Sequence, residues 1–212
     1  MIYAVQGADA ARYPTWMADM HSLRARVFKD RMNWDVEVVD GQERDRFDDC
    51  NPLYLLSVDR QNRVLGTLRL LPTTGPNMLR DVFPTLLPEG EVVESPTIWE
   101  SSRFAVDLAA PQPPAGTRVN RVTTELLCGI VEVGLMAGLD FIVSVFDAHM
   151  LRVLRSAGYA PDLLGHPRKI GSVTTHAGLF DVSEAAWQRI AAVGGYSGRV
   201  FAPDSDRPAQ AA

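Results

Sequence analysis

Apolar residues recur at three- and four-residue steps in several stretches of the chain, and this spacing predicts amphipathic helices. In residues 13–31 the predicted buried stripe consists of Trp16, Met20, Leu23, Val27 and Phe28. A second helix is predicted from the repeat of Val119, Val122, Leu126, Leu127, Ile130, Val133 and Ala137. It ends near Gly138, a residue suited to a C-cap. Shorter helices are predicted at 150–156, before Gly158, and at 184–193.

Short apolar runs between these helices predict strands. Residues 53–58 and 64–71 are two such runs joined by Asp59-Arg60-Gln61-Asn62, a composition typical of a hairpin turn. Further strands are predicted at 97–106, 141–146 and 172–182, and a short helical turn at 78–83. Hairpins early and helix–strand alternation late favour an α/β (α+β) fold, with one mixed sheet and helices on its faces.

Three stretches lack a regular period. Residues 33–51 are acidic, and we expect a long, partly mobile loop there. Residues 109–116 are rich in proline, which predicts a connector. Residues 203–212 are small and polar, and we expect a disordered tail after a single domain at 1–202.

Composition narrows the classes of function. A net charge of -5 in 212 residues argues against a general nucleic-acid binder. No apolar run reaches about 18 residues, so we expect no membrane span. Cys50 and Cys128 are far apart, which favours reduced thiols and a cytoplasmic location. The four histidines have no metal-ligand spacing, and no G-x-S-x-G segment supports a serine hydrolase, so we assign no metal and no hydrolase triad.

One predicted strand carries charged and hydroxyl residues where a structural strand would be apolar: Trp99-Glu100-Ser101-Ser102-Arg103-Phe104-Ala105-Val106-Asp107. Because side chains alternate along a strand, Glu100 and Arg103 reach one cleft only if the strand has a bulge or bend. The alternative is an ion pair on an edge strand.

A second group of polar and aromatic residues consists of Arg24, Phe28, Trp34, Asp45, Asp48 and Arg69. Guanidinium groups form bidentate ion pairs with carboxylates, and carboxylates attract a cation. The group therefore suits a cationic ligand that carries its own carboxylate. The alternative is a set of solvated loop charges.

These residues resemble the LuxI-type autoinducer synthases, or acyl-homoserine-lactone synthases. The resemblance extends over residues 1–182 and rests on the order and spacing of Arg24, Phe28, Trp34, Asp45, Asp48, Arg69, Phe83, Glu100, Ser102 and Arg103. It implies a GNAT-like acyltransferase fold, in which a V-shaped cleft splits a twisted, mostly antiparallel sheet.

The resemblance also implies roles for individual residues. Glu100, Ser102 and Arg103 are the predicted catalytic residues, and Glu100 is the candidate general base. The predicted S-adenosylmethionine-binding residues are Arg24, Phe28, Trp34, Asp45, Asp48 and Arg69, with the two acids paired to arginines. S-adenosylmethionine is a substrate, so we expect no cofactor.

The implied acyl pocket consists of Phe83, Phe104, Val143, Ser144, Phe146, Met150 and Leu154. Phe83 suits the core equally well. In the family the position of Ser144 is often Thr in enzymes that take 3-oxo-acyl chains, and serine lacks the methyl group.

The acyl donor is expected to be a thioester of acyl carrier protein or of coenzyme A. Residues 107–116, with one glycine and three prolines, suit a phosphate cradle poorly, which favours the carrier protein. A basic group of Arg152, Arg155, Arg168 and Lys169 is the candidate docking patch; a solvated surface is the alternative.

The predicted function is N-acylation of S-adenosylmethionine followed by lactonisation, with release of methylthioadenosine. Two alternatives are a GNAT-like N-acyltransferase that uses acyl-CoA and another amine, and a ligand-binding sensor without turnover.

Overall fold

The computed structural model describes residues 1–107 and 119–202. Its strands and helices are, in chain order, β1 (Ile2–Gln6), α1 (Pro14–Arg24), β2 (Val38–Val39), β3 (Gln42–Glu43), β4 (Leu53–Val58), β5 (Val64–Pro72), α2 (Met78–Asp81), β6 (Ile98–Val106), α3 (Arg121–Ala137), β7 (Phe141–Asp147), α4 (Ala148–Ser156), β8 (Asp162–Ile170), β9 (Val173–Asp181) and α5 (Glu184–Gly194). Helix α1 continues into a π-helical segment, Ala25–Arg31.

Among the described residues, seven strands form one sheet in the order β1-β4-β5-β6-β7-β9-β8. Neighbouring strands are antiparallel, except for the parallel pair β6 and β7. Strands β2 and β3 form a separate small ribbon. The predicted mixed, mostly antiparallel sheet flanked by helices is confirmed.

Alternate residues of the strands pack on two different layers. Leu55, Leu68 and Leu70 face α3, α4 and α5 and belong to the larger core, which we call the α3 face of the sheet. Tyr54 and Leu56 face α1, and Leu71 faces α2. We call this second side the α1 face.

The periodic elements are where the sequence predicts them. The 53–58 and 64–71 hairpin is present, and α3 ends at Gly138, whose φ of 68° is the left-handed conformation that glycine adopts easily. Strands β1 and β8 were not predicted. The acidic 33–51 stretch contains the β2–β3 ribbon and a 3₁₀ turn at Arg46–Asp49. Both the 109–116 connector and the 203–212 tail lie outside the described residues.

The parallel strands β6 and β7 separate part of the way along. They are paired from Ile98–Phe141 to Ser101–Ser144. Beyond that point, within residues 1–107 and 119–202, β6 pairs only with β5 and β7 only with β9. A V-shaped gap therefore opens in the middle of the sheet and connects its two faces. In the described parts of the chain, no helix has the length and apolar character that a membrane span requires.

Candidate active site

The irregular backbone of β6 aims its polar residues at one side of the gap. Arg69 pairs with Ser102 and Thr67 pairs with Ala105, so β6 contains one residue more than β5 between these pairs. Arg103, in this bulge, has a positive φ of 54°. Its side chain reaches the α1 face, where it contacts Phe28 and Glu43. The bulge that Glu100 and Arg103 require to share a cleft is therefore present.

Three arginines and three acids interlock on the α1 face and form what we call the charged cluster: Arg24, Glu43, Asp45, Asp48, Arg69 and Arg103. The Arg24 guanidinium donates two hydrogen bonds to the Asp48 carboxylate, at 2.8 and 2.9 Å, and a third to Glu43 at 2.5 Å. Arg24 and both acids are buried. Since bidentate, charge-assisted bonds are the strong ones, this pair fixes α1 to the loop that follows it.

The other two arginines complete the charged cluster. Arg69 donates to Asp45 at 2.5 and 3.1 Å, to Asp48 at 3.0 Å and to the Ser102 hydroxyl at 3.2 Å. Arg103 bonds Glu43 at 3.1 Å and Asp45 at 2.7 Å. The three positive and three negative charges balance, as burial requires. The predicted pairing of Asp45 and Asp48 with arginines is present.

The carboxylates of the charged cluster are held ionised. Burial alone would raise the pKa of Asp48, but hydrogen bonds and charge from Arg24, with the charge of Arg69, outweigh burial and hold that pKa well below its usual range. Burial likewise opposes ionisation of Asp45, and Arg69 and Arg103 lower its pKa. Burial lowers the pKa of Arg103 despite its acidic partners.

Aromatic rings cover the charged cluster on the cleft side. The rings of Phe28 and Trp34 stack with centroids 5.2 Å apart, and the Arg103 guanidinium lies 5.4 Å from the centre of the Phe28 ring. The π-helical segment positions Phe28, and the amide of Trp34 donates to the Phe28 carbonyl at 2.8 Å. Such π-helical turns often occur at functional sites. These rings offer a flat surface beside a cation.

Glu100 lies on the α1 face at the start of α2. One carboxylate oxygen accepts from the Met78 amide at 2.9 Å and the other from the Leu79 amide at 2.6 Å. Burial raises the pKa of Glu100, and this effect is larger than the lowering of the pKa by the two amide hydrogen bonds. A carboxylate with a raised pKa takes up a proton more readily near neutral pH, as a general base must.

A cleft of about 860 Å³ occupies the gap between β6 and β7. The predicted site residues that line it are Phe28, Trp34, Asp45, Phe83, Glu100, Ser102, Arg103, Phe104, Ser144, Phe146, Met150 and Leu154. Arg24, Asp48 and Arg69 lie behind this surface, fully buried within the charged cluster. These three therefore support the cleft wall.

Val143 does not line the cleft. It is buried on the α1 face with Leu79, Leu86 and Ala177, because it alternates with Ile142 and Ser144, which face the other way. Phe83 packs against this same core and also borders the cleft, so both of its predicted environments are present.

On the α3 face the cleft lies between α3, β7 and α4. We call this part the apolar arm, and it is lined by Phe104, Leu127, Ile130, Phe146, Leu154 and Phe180. Ser144 borders the arm and donates its hydroxyl proton to the Ser101 carbonyl at 2.7 Å, which ties β7 to β6 where the strands separate.

The basic residues of the proposed docking patch lie on two elements. Arg152 and Arg155 are exposed on α4, which covers the α3 face. Arg168 and Lys169 are exposed on the edge strand β8, and Arg168 donates to the Thr85 carbonyl at 3.3 Å in a segment that covers the α1 face. The four residues thus belong to different layers of the fold.

Two residues that the sequence reasoning did not single out belong to the site. Glu43 joins Arg24 to Arg103. Of the charged cluster the sequence predicts three arginines and two acids, which indicates that a further acid is needed but not which one. Thr123 of α3 lines the cleft beside the apolar arm, and a threonine within an apolar helix face gave no signal.

A sheet split by a cleft, with a buried carboxylate on one side and an apolar arm on the other, defines an acyltransferase-type enzyme with a GNAT-like fold. Comparison with known proteins specifies the class further. The autoinducer synthase family model matches residues 9–190, and the chain belongs to this family.

Individual relatives agree with this assignment. The chain is 36% identical over 198 residues to an acyl-homoserine-lactone synthase of Rhizobium radiobacter, covering 93% of this chain and 92% of that one. Among solved structures, BjaI, a CoA-dependent acyl-homoserine lactone synthase with MTA, has a TM-score of 0.82 at 26% identity, over 94% of this chain and 91% of that one. LasI, an AHL synthase, has a TM-score of 0.78 at 29% identity, over 91% and 94%.

Proposed function

We propose that this acyl-homoserine-lactone synthase transfers an acyl group from a thioester to the amine of S-adenosylmethionine and closes the lactone, releasing methylthioadenosine as the by-product of a quorum-sensing signal. The family assignment supports this reaction. So does the likeness to BjaI, whose structures carry MTA in one case and SAM with isopentyl-CoA in another.

The observation that carries the proposal is the continuity of the cleft across the sheet. Phe28, Trp34 and Asp45 border it on the α1 face, while Phe104 and Phe146 border it on the α3 face. A charged, carboxylate-bearing nucleoside suits the first region and an acyl chain suits the second. Their reacting atoms then meet in the gap, next to Ser102 and Arg103.

In the first step the amine nitrogen attacks the thioester carbon. Glu100 accepts the amine proton, the N–C bond forms, the C–S bond breaks, and the thiolate leaves and is protonated. Developing charge on the carbonyl oxygen needs donors already in place, and the backbone amides of the bulge from Arg103 to Ala105 are the candidates. Ser102, whose oxygen accepts from Arg69, orients water or the thioester.

In the second step the methionine carboxylate attacks its own γ-carbon. A C–O bond forms as the C–S bond to the sulfonium breaks, and neutral methylthioadenosine leaves. This step mainly requires the chain to be held folded. Phe28 and Trp34 would order the nucleoside, and Asp45 and Arg103 the charged groups. Arg24, Asp48 and Arg69 would act as positioning residues behind them.

The donor is a thioester of acyl carrier protein or of coenzyme A. The exposed basic residues of α4 and β8 support docking of an acidic carrier protein. The likeness to BjaI, described as CoA-dependent, supports coenzyme A. S-adenosylmethionine and the acyl thioester would both be met in the cytoplasm. The free thiols of Cys50 and Cys128 suit the same location.

The test is to incubate the purified protein with S-adenosylmethionine and separate panels of acyl-carrier-protein and acyl-CoA thioesters. Mass spectrometry follows methylthioadenosine and lactone. We expect both products together, and the thioester that reacts identifies the carrier. Glu100→Gln should lower kcat about 10²- to 10⁴-fold, as for loss of a general base. Glu89→Gln, on an exposed loop, is the matched control.

Two other results would replace this proposal. Release of CoA without methylthioadenosine would mean an N-acyltransferase that uses another amine. Binding of S-adenosylmethionine with no turnover of any thioester would mean a sensor.

A further inference from the structure

The carboxylate of Glu100 is held by backbone amides, and the position of those amides needs an explanation. Its two oxygens accept from Met78 and Leu79, and within residues 1–107 and 119–202 no side chain donates to it. These two amides begin α2, a helix of only four residues. So short a helix is not stable by itself. The orientation of the proposed base therefore depends on whatever fixes α2.

Asn77 fixes the start of α2 to the loop that leaves β5. Its Oδ1 atom accepts from the Arg80 amide at 3.0 Å, which makes it the N-cap of the helix. Its Nδ2 atom donates to the carbonyls of Thr73 and Gly75 at 3.3 and 3.0 Å. The side chain is 1% exposed. An amide side chain suits this position because it carries an acceptor and two donor hydrogens at once.

The same loop is tied to the strand that carries Glu100. Leu71 of β5 pairs with Glu100, so the chain leaves β5 directly beside the base. Two residues later, the Thr73 hydroxyl donates to the carbonyl of Ile98, the first residue of β6, at 2.7 Å. Asn77 then connects this anchored loop to α2 and places the helix over the carboxylate.

We propose that Asn77 is a positioning residue, which holds the amides of Met78 and Leu79 on the Glu100 carboxylate and so keeps the base oriented towards the amine of S-adenosylmethionine. The inference rests on the proposed function. Asn77 does not line the cleft, so its effect on the reaction passes through Glu100.

Several groups besides the two amides act on Glu100. Burial raises its pKa most, the charge of Arg69 on β5 lowers it, and the charge of Asp81 on α2 raises it. Strand β7 places the apolar Val143 beside it. Of all these influences, the two amide hydrogen bonds depend most directly on Asn77.

The first test follows the ionisation of Glu100 and needs no turnover. Carbon-13 NMR of the full chain, labelled at the glutamate carboxyl carbons, gives the pKa from the signal that Glu100→Gln removes. The two amide bonds lower this pKa, so Asn77→Ala should raise it by about one pH unit. Asn77→Ser keeps an N-cap acceptor and should shift it less. It also keeps the test available if Asn77→Ala does not fold.

A matched control removes the same kind of cap elsewhere. Asn120 is the N-cap of α3, and its side chain accepts from the Val122 amide at 2.8 Å. Asn120→Ala should therefore destabilise a helix start as Asn77→Ala does and leave the pKa of Glu100 unchanged.

The second test uses turnover. Asn77→Ala should lower kcat about tenfold with little change in the KM for S-adenosylmethionine, because the base is misplaced while the binding surface stays. Since Asn77 acts through Glu100, the double variant with Glu100→Gln should be no slower than Glu100→Gln alone.

The assignment is overturned if Asn77→Ala leaves the pKa of Glu100 unchanged or lowers it, or if its effect on kcat adds in full to that of Glu100→Gln. If no thioester reacts, the proposed function fails, and the titration still decides whether Asn77 holds the two amides on the carboxylate.

Discussion

The charged cluster and the apolar arm border the same cleft but are built by opposite physical rules. In the charged cluster every member is fixed by at least two ionic partners, and Arg24 and Arg69 are entirely buried. In the apolar arm, contacts are non-directional and the packing leaves open space. The first arrangement tolerates little change in any one residue, while the second adapts when a side chain is shortened.

This difference matches the two substrates that we propose. S-adenosylmethionine is the same molecule for every synthase of this reaction, so a rigid, fully paired binding wall suits it. Acyl chains differ by methylene groups, each of which changes the buried area by a similar small amount. A pocket that adjusts by side-chain volume suits such a series.

The largest expected effect is on stability, from removal of one charge in the charged cluster. Asp48→Asn keeps the shape of the side chain but leaves Arg24 and Arg69 with one acid fewer, and loss of one partner in a buried pair costs about 3–5 kcal/mol. Urea unfolding measures this loss. Asp9→Asn, which breaks an exposed pair with Arg12, should cost about 0–1 kcal/mol. Equal losses of unfolding free energy in the two variants would mean that the buried cluster stabilises the fold no more than an exposed ion pair does.

Acid should weaken the same cluster. The pKa values of Asp45 and Asp48 are lower in the folded state than in the unfolded chain, so the folded protein binds fewer protons. Their stabilising contribution is therefore complete above the unfolded pKa, about 4, and is lost as the pH falls below it. Unfolding free energies measured between pH 7 and pH 3 should decline less steeply in Asp48→Asn than in the wild type. An equal decline in the two proteins would mean that groups other than Asp48 cause the acid sensitivity.

The sequence predicts some elements of the fold and misses others. The period of apolar residues locates α3 and the β4–β5 hairpin, because each buries one face against the sheet. It misses β8, a mostly exposed edge strand interrupted by Gly165 and Pro167, where no alternation exists to detect.

Within the site, residue type indicates chemistry but gives no position relative to the sheet. Arg24 and Arg69 support the cleft wall from behind, and Glu43 joins the charged cluster through contacts 19 and 60 residues away in sequence. No local pattern encodes such pairing. Alternation along β7, however, could have excluded Val143 once Ser144 was placed in the cleft.

A smaller effect is expected in the apolar arm. Leu127→Ala should cost about 2 kcal/mol, the low end for such a truncation, because the side chain already borders open space. Leu70→Ala, in the closed core on the same face, should cost more, up to about 5 kcal/mol. In competition assays with acyl donors of graded length, Leu127→Ala should shift the preference towards longer chains. An unchanged preference would mean that the acyl chain lies outside this arm.

The smallest expected effect is on the aromatic surface above the charged cluster. Phe28→Leu keeps an apolar side chain but removes the stack with Trp34 and the contact with Arg103; such aromatic pairs contribute about 0.5–1.5 kcal/mol. The KM for S-adenosylmethionine should rise about two- to tenfold, with a smaller change in kcat. Tyr13→Leu breaks a comparable stack with Trp16 away from the cleft and should leave that KM unchanged. If kcat fell while KM stayed constant, Phe28 would act in a bond-forming step and not in binding. The aromatic surface would then matter more for holding the reacting groups in place than for binding the nucleoside.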